Sequence, residues 1–317
     1  MTSPSTRPAL IWAALVTVYV VWGSTYLGIR VVVESGIPPL LGMGVRFLAA
    51  GGLLLGYIVV RHGRSRARVT MAELRGAAVM GLMLLVFGNG VVAIAEQTVP
   101  SGLTALIIGA VPLWFVLLRA AGGERPRTAT WCGVLVGLGG VAAVSLSRGG
   151  IEGVQAWGVL LLIVASMSWA LGSYLSPRLG LPRNAMVTSA YEMLAAGAVM
   201  TIVSSATGAA TDFDVAAIPI RGWVALAYLV LIGSLAGYTA YSYALAHAPL
   251  SLVGTYAYVN PVVAVLLGWA ILAESVTAAV VGGGALVIAG VALVVSGERR
   301  PATPSTRDPK PIEKMTT

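Results

Sequence analysis

The sequence predicts an all-α membrane protein with ten transmembrane helices arranged as two inverted five-helix repeats. Three observations lead there. Of its 317 residues, 57% are hydrophobic and 10% are charged, whereas soluble domains carry about 25% charged residues; there is too little charge to clothe a soluble surface. Apolar runs of roughly 20 residues, the length of one bilayer crossing, recur along the chain. The stretch Pro100–Leu118, PSGLTALIIGAVPLWFVLL, returns 149 residues later as Pro249–Leu267, PLSLVGTYAYVNPVVAVLL. Pro100 matches Pro249, Leu103 matches Leu252, and the mid-segment Pro112 matches Pro261. A duplicated membrane chain with interrupted helices points to a transporter with its site between the halves.

In chain order, residues 1–8 are polar and hold Arg7. The apolar run from Ala9 is too long for a signal-peptide core and no small-residue cleavage site follows it, so it reads as a first, uncleaved span. Ten spans fit, at 9–30, 39–60, 75–97, 100–119, 128–147, 156–176, 184–206, 222–246, 250–272 and 277–296. The connections are short and carry turn formers: Gly36-Ile37-Pro38-Pro39, Gly122-Gly123 and Pro182. Repeat one covers 9–147 and repeat two 156–296; the tail at 297–317 is polar, Pro-rich and expected to be a disordered cytoplasmic segment.

Basic residues orient the spans. With the N-terminus in the cytoplasm, the inner segments hold 16 of the 20 Lys and Arg. The outer loops hold Arg148 and Arg221, with Arg30 at an outer helix end. This bias places both termini inside. It also explains the net charge of +8, because the arginines cluster in short loops beside apolar runs, and a nucleic-acid partner is not expected. The lone Cys132 excludes an internal disulfide and a Cys-rich metal site.

The repeat extends further. Leu48-Ala49-Ala50-Gly51 returns at Leu194–Gly197, Trp22 has its counterpart in Trp169, and Gly88 matches Gly237. Gly139-Gly140-Val141-Ala142 resembles Ala289-Gly290-Val291-Ala292. Five spans per repeat is an odd number, so the second repeat must enter the membrane from the opposite side.

These residues resemble the EamA family of the drug/metabolite transporter superfamily, and within it the YedA-type bacterial inner-membrane exporters. The matching pieces are Val21–Tyr26, Arg46–Gly51, Gly88-Asn89-Gly90, Pro100–Leu118, Glu192–Gly197 and Tyr256–Pro261. The resemblance implies ten helices in two EamA repeats. It also implies a central cavity ringed by helices 1–4 and 6–9, with helices 5 and 10 peripheral, and export of small metabolites or drugs. It does not identify a substrate.

Candidate site residues are those the bilayer makes costly. Arg46, inside span two, can bind a carboxylate or phosphate through its planar fork; a backbone-bonded structural arginine is the plainer alternative. Glu192 holds the equivalent place in the second repeat and can bind an amine or carry a coupling proton; a glutamate hydrogen-bonded to a Ser, Tyr or Trp across helices is the equal alternative. Asn89 is expected at Arg46's depth, and its plainer role is an interhelical hydrogen bond. Glu96 reads as a solvated rim residue, and Arg30 with Glu34 as a local helix pair. Trp22, Tyr26, Trp169, Tyr174, Tyr238, Tyr241, Tyr256 and Tyr258 mostly fall inside spans, where they line a pocket or pack helices. Tyr256 and Tyr258 cannot share a face. Asn260 completes the candidate cavity set. Pro112 and Pro261 are expected to bend their helices.

His62 and His247 lie in or beside inner loops, and no catalytic or metal motif, phosphate-binding loop or ATP-binding domain is present. No catalytic residue, metal or cofactor is therefore expected. The expected function is secondary transport: export of amino-acid-like, aromatic or amphipathic polar solutes by alternating access. The alternatives are an importer of the same fold, a lipid-modifying membrane enzyme and a passive channel. Expected partners are the small-molecule substrate, the lipid bilayer and a coupling proton; whether the chain forms a homodimer stays open.

Overall fold

The computed structural model describes residues 8–99, 104, 107–146, 155–209, 213–260, 262–263 and 278–298. Among them the regular structure is entirely helical. We number the helices α1 (Pro8–Glu34), α2 (Pro39–His62), α3 (Met71–Ala95), α4 (Val111–Ala121) and α5 (Thr128–Leu146). These are followed by α6 (Ala156–Leu175), α7 (Ala185–Ala206), α8 (Ile220–His247), α9 (Leu250–Val253) and α10 (Ala278–Glu298). Six of the described helices are long and apolar enough to cross a membrane: α1, α2, α3, α6 with its last 3₁₀ turn, α7 and α8. The expected fourth and ninth spans run through residues 100–103, 105–106, 261 and 264–272, outside the described residues. Pro261, the 148–153 loop and the tail from 299 lie outside them too.

Local chemistry sets the helix ends. Pro39 opens α2, where a missing N–H removes no bond. α3 begins at Met71, four residues before the hydropathy suggested, because Thr70 and Glu73 form a capping box. In it the Glu73 N–H donates to Thr70 Oγ1 (3.2 Å) and the Thr70 N–H to Glu73 Oε2 (2.7 Å). Asn184 caps α7 by accepting from the Met186 N–H at 2.9 Å. Pro112 does not bend a continuous helix as expected. The chain turns at Gly109 and Ala110, and Pro112 is the second residue of a new helix, again a place where its missing donor costs nothing.

The helices are apolar on the outside. Leu27, Val60, Ile202 and Ile288 are all exposed, while the charged Arg46, Glu96 and Glu192 are buried. This is the distribution a lipid solvent favours.

The packing is reciprocal. α2 lies along α7, and α5 along α10. A Cβ on Gly51 would come within 2.9 Å of Leu194 Cγ, and one on Gly197 within 2.9 Å of Leu48 Cγ. The two LAAG tetrapeptides thus each give a glycine to the other's leucine, the small-residue close approach seen in membrane helix pairs. α6 packs on α3, and α1 packs on α8.

α3 and α8 share a further feature: each contains a ten-residue π-helical stretch, Gly81–Gly90 in one and Leu229–Tyr238 in the other. π turns insert an extra residue into a helical turn and cluster at functional sites. Both stretches face the cavity described next.

Candidate functional site

A cavity opens among α1, α2, α3, the start of α4, α6, α8 and Tyr256. Among the described residues, α5 and α10 contribute no lining residue. Its wall carries seven of the ten candidate residues: Trp22, Tyr26, Arg46, Asn89, Trp169, Tyr238 and Tyr256.

Much of the cavity wall is aromatic. Trp22 and Trp169 meet edge to face with centroids 5.3 Å apart. Trp22 also contacts Tyr256 at 5.1 Å and Tyr241 at 5.0 Å. Edge-to-face contacts place a ring's positive rim on its neighbour's negative face. Their polar atoms are satisfied: Trp22 Nε1 donates to the Gly233 carbonyl (3.2 Å) and Trp169 Nε1 to the Tyr241 hydroxyl (2.9 Å). Ser173 Oγ donates to the Trp169 carbonyl (2.8 Å) and bonds the Tyr241 hydroxyl at 2.6 Å. Since Ser173 has one proton, Tyr241 donates to it, and the loop from Trp169 back to Trp169 closes.

Arg46 supplies the charge. It is buried on α2, its Nε donates to Ser234 Oγ (2.8 Å) and its Nη1 meets Met43 Sδ (3.6 Å). No carboxylate among the described residues pairs with it. A serine hydroxyl and a thioether leave most of a five-donor guanidinium without a hydrogen bond; the group lies 4.7 Å over the Phe47 ring, and Arg46 is part of the cavity wall. Asn89 is half-buried on the wall, and among the described residues its amide makes no hydrogen bond, against the interhelical bond that was its plainer role.

Three candidates lie off the wall. Glu192 is buried behind it, where Tyr238 donates to its Oε2 at 2.8 Å; it reaches the cavity through that tyrosine. Asn260 turns its amide to the backbone carbonyls of Tyr19 and Tyr256, at 3.2 and 2.9 Å in the O/N assignment that satisfies both. Tyr174 sits at the far end of α6 under Arg178, whose guanidinium stacks 4.5 Å from its ring. Of the Tyr256–Tyr258 pair, Tyr256 lines the cavity while Tyr258 packs against Val141 and Val287.

Glu96 departs from its expected place. It is fully buried, not a solvated rim residue, and neither carboxylate oxygen has a hydrogen-bond partner. The helical backbone carries past α3 to this position and turns the side chain inward. Arg30 does pair with Glu34, Nε to Oε1 at 2.5 Å, and it also donates from Nη1 to the Glu96 carbonyl at 2.7 Å. Ser234 and Tyr241 were the contributors hardest to see. Tyr241 is one of many intramembrane aromatics, and a serine in an apolar run carries no signal until its partner is known.

A family model described as the EamA-like transporter family matches residues 7–146 and again 156–296. The chain belongs to this EamA family. It is therefore a membrane transporter and not an enzyme. The uncharacterized inner membrane transporter YedA of Escherichia coli strain K12 is 41% identical over 269 residues, covering 84% of this chain and 84% of YedA. A probable terminal-alkyne amino-acid exporter of Streptantibioticus cattleyicolor is 29% identical over 308 residues, 94% of this chain and 98% of the exporter. A solved crystal structure superposes with a TM-score of 0.74 at 22% identity, over 92% of this chain and 98% of that one, a likeness that concerns the fold.

Proposed function

We propose that this EamA protein is a secondary transporter that exports small amino-acid-like, aromatic or amphipathic polar solutes across a bacterial inner membrane by alternating access. Its architecture in this reading is ten helices in two inverted five-helix repeats, residues 9–147 and 156–296, with both termini cytoplasmic. The carrying observation is the cavity: aromatic rings and Arg46, without a carboxylate partner among the described residues, share its wall. A planar guanidinium recognises a carboxylate in a bidentate manner, and the rings take an apolar or aromatic body.

The reciprocal contacts support the inverted repeats. Gly51 against Leu194 answers Gly197 against Leu48, and the π-helical stretch of α3 answers that of α8. A pseudo-two-fold axis in the membrane plane generates such pairs. The inner-loop excess of Lys and Arg supports the orientation. In that frame Arg46 lies in the outer half of a midplane cavity, and Glu192, the residue we assign to proton coupling, lies in the inner half behind Tyr238. The amino-acid exporter among the relatives and the inner-membrane relative agree with this substrate class and location.

The test is a screen of amino acids, aromatic acids and amphipathic drugs on vesicles reconstituted with the full chain, with and without a pH gradient. Saturable efflux of an amino-acid-like solute is the expected result. Net uptake against a gradient would assign an importer, and flux that never saturates would assign a channel.

A further inference from the structure

The π-helical stretch of α3 holds Asn89 between two glycines that are both packed against other helices. A Cβ on Gly88 would come within 2.7 Å of Trp169 Cε3 on α6, and one on Gly90 within 2.9 Å of Met200 Sδ on α7 and 3.3 Å of Leu40 Cδ2 on α2. Three helices thus fix the backbone on either side of Asn89, and the asparagine itself is on the cavity wall. Its amide, without a hydrogen bond among the described residues, has two N–H donors and an oxygen acceptor to offer. Tyr26 and Tyr256 bring two hydroxyls to the same wall. Neither makes a hydrogen bond among the described residues, and unlike the unbonded hydroxyl of Tyr258 neither is sealed inside the protein.

The other wall hydroxyls are engaged. Thr25 donates to the Trp22 carbonyl (2.9 Å), Ser166 to the Ile163 carbonyl (2.8 Å) and Tyr238 to Glu192 (2.8 Å). The groups left for a solute are therefore one cation, Arg46, and three neutral ones, Asn89, Tyr26 and Tyr256. Among the described residues the wall has no carboxylate: Glu96 is fully enclosed and Glu192 lies behind Tyr238. An ammonium leaving water for this wall meets only neutral acceptors beside a fixed guanidinium, and a charge buried without a counter-charge is costly. A hydroxyl or an acylated nitrogen needs only neutral partners, and an asparagine amide supplies both a donor and an acceptor for it.

We propose that the transported solute is an organic acid whose second polar group is uncharged, an N-acyl or α-hydroxy relative of an amino acid in place of the free zwitterion, and that the amide of Asn89 selects it. This deepens the transport reading above and rests on it. Arg46 takes the carboxylate, the aromatic rings take the apolar body, and Asn89 reads the neutral group.

The experiment uses vesicles holding the full chain and four probes of one carbon skeleton: phenylalanine, N-acetylphenylalanine, 3-phenyllactate and 3-phenylpropionate, which lacks the second polar group. Asn89→Leu and Asn89→Asp are compared with the parent after each is shown to be monodisperse and thermally folded. In the parent, N-acetylphenylalanine and 3-phenyllactate should reach half-saturation at concentrations about fivefold or more below phenylalanine, the scale of leaving a polar group unpaired. Asn89→Leu should raise the half-saturation of those two probes by about two- to tenfold, one neutral hydrogen bond, and spare 3-phenylpropionate. Asn89→Asp gives an ammonium its counter-charge, so it should shift the preference towards phenylalanine. The assignment is overturned if the parent moves phenylalanine as well as the acylated and hydroxylated probes, if folded Asn89→Leu changes all four equally, or if Asn89→Asp leaves the preference where it was. Saturable efflux of phenylalanine alone would sink this inference and leave the amino-acid-like reading standing. If the parent moves none of the four, that reading falls, and this inference with it.

Discussion

The indole of Trp22 lies against Gly237: a Cβ at position 237 would sit 2.6 Å from the indole nitrogen. Trp169 makes the equivalent contact with Gly88, where a Cβ would come within 2.7 Å of Cε3. Each tryptophan therefore rests on the glycine that the other half of the chain contributes, and both glycines lie in the π-helical stretches that border the cavity.

This contact leaves no room for a methyl group. Gly237→Ala and Gly88→Ala should each destabilise the protein by about 1–3 kcal/mol, the usual range for overpacking. Thermal unfolding in detergent, followed by tryptophan fluorescence, would read both the stability and the ring environment. An unchanged midpoint with unchanged emission in either variant would mean the helices separate freely there.

The helices themselves were legible because a bilayer crossing is a matter of length and apolarity, and α1, α2, α6, α7 and α8 begin within two residues of the expected spans. α3 started earlier because a capping box acts through two specific hydrogen bonds that hydropathy does not register. The cavity wall was partly legible: a buried arginine or an intramembrane tryptophan is expensive, and expense marks function. Tyr174 misled because depth along a helix depends on where the helix ends, and α6 ends one residue later. Glu96 misled for the opposite reason. Being near a span's end suggested water, but the way neighbouring helices cover that end is not written in any local pattern. The π-helical stretches have no sequence signature beyond their glycines.

The arrangement of Lys and Arg makes a topological prediction. Reporter fusions after Ser296 and within residues 148–153 should fall on opposite sides of the membrane, the first in the cytoplasm. Activity of a cytoplasmic reporter at both sites would refute both the ten-span count and the inverted repeat that depends on it.

Arg46 tests the carboxylate end of the proposed solute. Arg46→Lys keeps a positive charge but loses the planar fork and the geometry of the Nε bond to Ser234. It should reduce efflux less than Arg46→Ala without restoring the parental rate. Removing one charged hydrogen bond corresponds to about 1.5–3 kcal/mol, or roughly ten- to hundredfold in efflux at low solute. Parental rate and half-saturation in folded Arg46→Ala would make this arginine structural.

Glu192 and Tyr238 divide the coupling question between them. Tyr238 lines the cavity and donates to Glu192, so a change in the cavity reaches the carboxyl through one hydrogen bond. Glu192→Gln keeps an oxygen that accepts from Tyr238 but has no proton to exchange. It should leave solute binding near the parental affinity while abolishing any acceleration by a pH gradient. Tyr238→Phe keeps the titratable carboxyl and removes the hydroxyl. Solute affinity should then fall by about tenfold or less, and the gradient response should persist at a shifted pH. The two variants must therefore differ in kind. If Glu192→Gln responds to the gradient as the parent does, Glu192 carries no coupling proton, and its bond to Tyr238 only holds α7 against α8.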